Sequence, residues 1–291
     1  MTTDTAAPAP EAKPPVNSSL KERAKGALMF APPVLVVIWL GGALFAWMMA
    51  AAAAIGAFEW TRMVTTGQEK PPAYLNYLTA AFAALSVLVG AMVKSPIMGL
   101  WFLLALSAVV MAYSYAQSGP KPKLVVFGLI YVGFAVAMMI WLRDSSAGLF
   151  HFCTLLFIVW ASDICAYFTG RTLGGPKLAP KISPKKTWSG FLGSSVGAGL
   201  VAAGMASEPF LKYFGIEGAT LGGMGPLGYF VLGFVLAMFG QAGDLFISLF
   251  KRHFGVKDTG ALIPGHGGIL DRIDALLLVS IIFGAIKSVA G

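Results

Sequence analysis

The chain has 291 residues, 57% of them hydrophobic and only 12% charged, and its mean hydropathy is +0.76. Those values exclude a soluble globular domain and indicate an all-α, polytopic membrane protein, because a bilayer core admits only segments that satisfy their own backbone hydrogen bonds. The net charge of +8 comes without a soluble basic face or a recognition module, so nucleic acid is not expected as a partner, and membrane lipid headgroups account for most of the scattered cations.

Residues 1–26 begin with an Ala-, Pro- and Thr-rich stretch that has no apolar periodicity, and they read as a disordered cytoplasmic tail. Basic residues before the first apolar stretch imitate a signal peptide. No small-residue cleavage pattern follows, so the stretch reads as an uncleaved first span. Apolar runs then occupy 27–40, 44–58, 78–93, 97–115, 124–142, 147–168, 190–205, 226–250 and 268–289. Their lengths approach the roughly 20 residues that a bilayer asks for. They divide into an N-terminal set of transmembrane helices, 27–146, and a C-terminal catalytic region, 147–291. Cys153 and Cys165 share one run, too far apart along a helix to be bridged, so no disulfide is expected.

The first two runs pose a parity question, since Gly41-Gly42 is either a turn between two spans or an interruption in one. With two spans, the basic tail shares a side with Arg62, Lys70, Lys121, Lys123, the loop from Arg171 to Lys186, and Lys251 to Lys257. The opposite side then keeps only Lys94, Arg143, Lys212 and Lys287. Positive loops stay in the cytoplasm, so about nine spans with the N-terminus inside fit best. The chain is expected in the cell inner or plasma membrane, with its chemistry facing the cytoplasm.

Two loops on that side carry the chemistry. The segment GRTLGGPKLAPKISPKKTWSG, residues 170–190, is broken by glycine and proline, and Lys177, Lys181, Lys185 and Lys186 punctuate it. It reads as a phosphate-gripping loop, though its spacing is not that of a Walker A motif. Just before it, Asp163 lies inside an apolar run and shares a helix face with Tyr167; an acid in a membrane span is a functional candidate that needs a partner. Further on, Asp244, Ser248 and Lys251 recur at i, i+4 and i+7, which places carboxylate, hydroxyl and ammonium along one helix face. Arg252 follows about 100° around the same helix. Beyond a glycine-flanked His266, Asp271 and Asp274 stand one turn apart on the opening of the last span. Carboxylates beside lysines and arginines suit a site that holds a divalent cation and a polyphosphate together.

The run from Ser248 to Asp274 resembles the signature of phosphatidate cytidylyltransferases, the CDP-diacylglycerol synthases. Ser248, Lys251, Arg252, Lys257, Asp258, Gly260, Pro264, Gly265, His266, Gly267, Gly268, Asp271, Arg272 and Asp274 fill that signature in register. Gly243 to Leu245 and the ISPKKT stretch, 182–187, extend the resemblance over roughly the C-terminal half. The chain departs from the family pattern at Trp188-Ser189-Gly190, where an acid commonly precedes the glycine, and at Ile247, where an acid is frequent before the serine.

The resemblance implies transfer of a cytidylyl group from CTP to phosphatidate, yielding CDP-diacylglycerol and pyrophosphate, with Mg2+ as cofactor. It implies Asp244 and Asp271 as metal ligands, with Asp163, Asp258 and Asp274 in reserve. Mg2+ takes only one or two carboxylates directly, so not all five acids can be its ligands; whether a second, monovalent cation shares the site is left open. Lys251, Arg252 and Arg272 are assigned to the triphosphate and the phosphatidate headgroup; Lys177, Ser183, Lys185, Lys186 and Ser248 are assigned to substrate binding. His266 either moves a proton or pins its turn. The glycine-rich spans would suit a homodimer as well as packing within one chain. A rival reading, a secondary transporter with Asp163, Asp244 and Asp271 along an ion path, predicts acids near the bilayer midplane and inverted repeats. No repeat is visible, and the DGxxAR-containing signature of CDP-alcohol phosphotransferases is absent.

Overall fold

A computed structural model describes residues 31–67, 73–116, 121–262 and 267–290. The expected tail, 1–26, and His266 lie outside these residues. The described chain is helical apart from one small hairpin: α1 (Ala31–Leu40), α2 (Gly42–Val64), α3 (Ala73–Met92), α4 (Pro96–Ala116), α5 (Pro122–Asp144), α6 (Gly148–Thr172), α7 (Trp188–Met205), α8 (Glu208–Tyr213), α9 (Pro226–His253) and α10 (Leu270–Ala290). Strands β1 (Lys177–Ala179) and β2 (Ser183–Thr187) pair antiparallel between α6 and α7.

Seven of the described helices, α2 to α6, α9 and α10, are long and apolar enough to cross a membrane. The nine apolar runs all become helices in order, but two fall below that standard. Helix α7 reaches 18 residues with a serine- and glycine-rich sequence. The described part of α1 spans about 15 Å at 1.5 Å per residue, half a hydrocarbon core. Gly41 separates α1 from α2 with a φ of 67°, a left-handed conformation that glycine adopts without strain. Arg143, from the end of α5, donates to the carbonyls of Ile38 and Trp39 at 2.8 Å and so occupies the carbonyls that α1 leaves free at its end.

Helices α2 to α5 pack together, α6, α7, α9 and α10 form a second group, and α5 against α10 joins the two. Apolar burial does not drive helices together within lipid, so close backbone approach must do so. Helix α9 meets α10 in this way: a Cβ on Gly243 would lie 2.9 Å from the Asp274 carbonyl oxygen. That approach sets Asp244 beside Asp274. Beneath this end of the bundle, Trp60 is fully buried, with its ring centroid 4.8 Å from that of Phe250, and its indole nitrogen donates to the Leu124 carbonyl at 2.8 Å. Large apolar side chains such as Trp39, Trp47, Trp101 and Leu200 are exposed on the outer surface, where lipid is their natural solvent. Tyr167, Phe168 and Trp188 are exposed at the level of the hairpin, the position at which aromatic rings anchor a protein to the membrane interface.

Candidate active site

Three helices and the loop after α9 meet at one cleft of about 250 Å3, lined by Asp163, Asp244, Lys251, Asp258, Asp271, Arg272, Asp274 and Ala275. Asp163 comes from the second half of α6, Asp244 and Lys251 from the last third of α9, and Asp271, Arg272 and Asp274 from the opening turns of α10. A fourth helix, α2, contributes from behind. The sequence expectation that these residues converge at one end of the bundle is met, whereas the spacing Asp163–Tyr167 joins no pair: the Tyr167 hydroxyl accepts from Arg171 at 2.6 Å.

The segment 170–190 is a two-stranded hairpin rather than an irregular loop. Trp188 N donates to the Pro176 carbonyl at 3.1 Å and closes its base. Thr187 caps α7, its hydroxyl accepting from Gly190 N at 3.1 Å. Ser189, which stands where an acid is common in the resembling family, donates its hydroxyl to the Gly174 carbonyl and draws the preceding turn onto the helix. Arg252 Nε donates to the Ile182 carbonyl at 3.4 Å, so this guanidinium braces the hairpin tip.

Strand geometry separates the paired lysines, because successive side chains point to opposite faces. Lys186 is half-buried, and its Nζ lies 2.6 Å from Asp244 Oδ2 and 2.8 Å from Gln241 Oε1. Lys185 and Lys177 are exposed, and Ser183 is half-buried at the start of β2. Gln241 is buried, and its amide nitrogen reaches the Ser162 hydroxyl at 3.3 Å, so it serves as a fixed acceptor that aims Lys186 at Asp244. Ser248 donates to Asp244 Oδ1 at 3.2 Å, the i+4 contact read from the sequence.

Asp271 is held quite differently. Lys251 Nζ donates to its Oδ1 at 2.7 Å, while Oδ2 accepts from Thr259 N at 2.9 Å and Gly268 N at 3.1 Å, with the Thr259 hydroxyl oxygen 3.1 Å away. Its side chain is 3% exposed, and that of its partner Lys251 is 12%. A carboxylate at the first turn of a helix is also favoured by the partial positive charge there. Asp271 therefore knits the signature loop to α10 with every oxygen engaged.

Behind it stands a residue that the sequence reading passes over. Glu59, on α2, is 4% exposed. Its Oε2 accepts from Thr259 Oγ1 at 3.0 Å and Leu270 N at 2.9 Å, and its Oε1 accepts from Ile269 N at 3.1 Å. The free N–H groups at the start of α10 are thus satisfied by a carboxylate more than two hundred residues earlier in the chain. The glycines of the signature make room for it: a Cβ on Gly260 or Gly268 would collide with the Glu59 carboxylate. The available signal was a lone acid near the end of an otherwise apolar run. Gln241 announced itself only by standing one helical turn before Asp244.

Asp163, Asp258 and Arg272 are exposed to the cleft and Asp274 is half-buried. Asp274 Oδ1 accepts from its neighbour Ala275 N at 2.7 Å, and Arg272 makes no side-chain hydrogen bond or ion pair among the described residues. Among those residues no three His, Cys, Asp or Glu side chains gather around a single point. The donor set is all carboxylate oxygen, which fits a hard cation such as Mg2+ that takes one or two carboxylates and completes its shell with phosphate and water.

Comparison with known proteins agrees with this chemistry. The model of the cytidylyltransferase family matches residues 21–289. A phosphatidate cytidylyltransferase of Brucella suis biovar 1 (strain 1330) is 34% identical over 278 residues, covering 92% of this chain and 94% of that protein. One from Rickettsia bellii (strain RML369-C) is 37% identical over 218 residues, covering 73% of this chain and 90% of its own. A cleft of carboxylates and basic side chains at the ends of membrane-spanning helices, in a chain matched along nearly its whole length, leads to one conclusion: the chain belongs to the cytidylyltransferase family and is a nucleotidyltransferase.

Proposed function

We propose that the chain is a phosphatidate cytidylyltransferase of the cell inner or plasma membrane, transferring CMP from CTP to phosphatidate at the cytoplasmic face with Mg2+ as cofactor. The observation that carries this reading is the single cleft in which acids of α6, α9 and α10 meet Lys251, Arg272 and, through Asp244, Lys186. The relatives' names supply the substrate class. Orientation follows from charge, since the hairpin and signature segments at this end are dense in lysine and arginine whereas the opposite end keeps only Lys94, Arg143, Lys212 and Lys287.

A phosphatidate oxygen attacks the α-phosphorus of CTP, the new P–O bond forming as the bond to the β-phosphate oxygen breaks, and pyrophosphate leaves. Catalysis of this kind is mainly alignment and charge neutralisation. Asp244 is the first choice to hold Mg2+, with Asp163 and Asp274 beside it; the ion would neutralise charge on the triphosphate. Asp271 is reassigned from ligand to the group that positions Lys251 and the signature loop. Arg272, exposed to the cleft and without a protein partner among the described residues, is the free guanidinium for a phosphate, a geometry for which arginine is suited. Lys186 reaches the cleft on the inner face of its strand and supplies a second cation. Both acyl chains of phosphatidate remain in lipid while the headgroup enters the cleft from the side.

The test is direct. Purified protein incubated with CTP, phosphatidate and Mg2+ should form CDP-diacylglycerol and pyrophosphate in equal amounts. Chelation with EDTA should stop the reaction and added Mg2+ restore it. No CDP-diacylglycerol from folded protein under these conditions would refute the proposal.

A further inference from the structure

At the other end of the bundle, a second cavity of about 560 Å3 lies between the start of α6, the end of α10 and the connection from α8 to α9. His151 and Lys287 line it. Both are deeply buried, at 2% and 6% exposure. His151 Nδ1 has no hydrogen-bond partner, and the two ion pairs found among the described residues both belong to the catalytic cleft, leaving Lys287 without one. An ammonium and an imidazole buried between helix ends are costly unless something compensates them. Here each borders the same cavity, and no protein group in the described residues fills it.

The third wall is the loop holding Gly218, Gly222 and Gly223, with φ of 83°, 52° and 71°. Left-handed backbone of this kind forms the concave arrays of N–H groups that hold anions. Glu217, exposed, is the single acid on the lining. Along α10, Lys287 is about 24 Å from Asp271 at 1.5 Å per residue, so this cavity is separate from the cleft where the reaction is placed.

We propose that this cavity binds a phosphate group, with Lys287 and His151 as its side-chain partners and the glycine loop as its backbone partner. The phosphate belongs either to a phospholipid headgroup in the leaflet opposite the catalytic cleft or to free inorganic phosphate. The inference does not depend on which lipid the catalytic cleft uses.

The experiment is native mass spectrometry of the purified full-length protein in neutral detergent, with inorganic phosphate and dioleoylphosphatidylglycerol as separate probes. One saturable adduct is expected with at least one probe, and the probe that forms it identifies the source. The adduct should weaken about ten-fold in K287M, the loss of one charge-assisted contact, and weaken also in H151F, which preserves the edge contacts with Phe150 and Phe283. It should tighten in E217Q and survive in K186M, whose change lies in the catalytic cleft. CTP-dependent turnover of K287M, equal to that of the unaltered protein, verifies its fold. Absence of an adduct with both probes, binding undiminished in both K287M and H151F, or an adduct removed by K186M alone would overturn the proposal.

Discussion

On the α10 side of the catalytic cleft, Asp271 accepts three hydrogen bonds, two of them from backbone N–H groups, and is almost sealed from solvent. Across the cleft, Asp244 is held only by the side chains of Lys186 and Ser248, with about a third of it exposed. The residues are of one type and face one space, yet their partners differ in kind. Backbone donors cannot leave without unmaking the loop that leads into α10, whereas a lysine on a hairpin can move to another anion. A carboxylate saturated by backbone is therefore a fixture, and one held by mobile side chains is available to a ligand.

Replacing each acid by its amide tests that contrast most severely. Asp271→Asn strands Lys251 in a buried setting, where breaking one partner of an ion pair costs about 3–5 kcal/mol; a marked fall in thermal stability should accompany complete loss of CDP-diacylglycerol formation. If its melting temperature is unchanged, Asp271 is not the fixture described. Asp244→Asn should instead lower turnover on the order of 10³-fold, as expected when charge stabilisation in the transition state is lost, while leaving the melting temperature within a few degrees. A comparable collapse in stability there would erase the distinction between the two walls.

Glu59→Gln sharpens the comparison from behind the fixture. An amide presents an N–H to donors that need an acceptor, so stability should drop by about 1–3 kcal/mol. Turnover should fall with little change in the KM for CTP, because the residue positions α10 and touches no substrate. A raised KM with undiminished kcat would contradict a positioning role. Smallest of the four, Lys186→Met should raise the KM for CTP about ten-fold, the value of one charge-assisted contact, with stability close to that of the unaltered protein. An unchanged KM would remove Lys186 from phosphate binding.

Much of this arrangement can be read from the chain without coordinates, for physical reasons that are easy to name. The apolar runs locate the helices, and their ends are extended by polar termini that hydropathy ignores: the run 124–142 becomes Pro122–Asp144. The i, i+4 relation of Asp244 and Ser248 is a local property of a helix and survives unchanged. The hairpin is illegible because its strands hold lysine, proline and serine, residues with low strand propensity, and its pairing depends on closure by Trp188 and support from Arg252. The division of labour between Lys185 and Lys186 disappears with it. Glu59 is hidden for another reason, since its partners lie beyond the reach of any sequence period. The closeness of α2 to the start of α10 is a tertiary fact.

The span between Glu59 and Thr259, 200 residues apart, has a consequence for biogenesis. Glu59 is made with the second helix, and the amides it serves belong to the last. During synthesis this carboxylate must wait near the water boundary until α10 arrives. The catalytic cleft then closes in one late event, so nascent chains should be inert until insertion is finished, and removing α10 should leave the earlier helices with an unanswered acid that marks them for quality control.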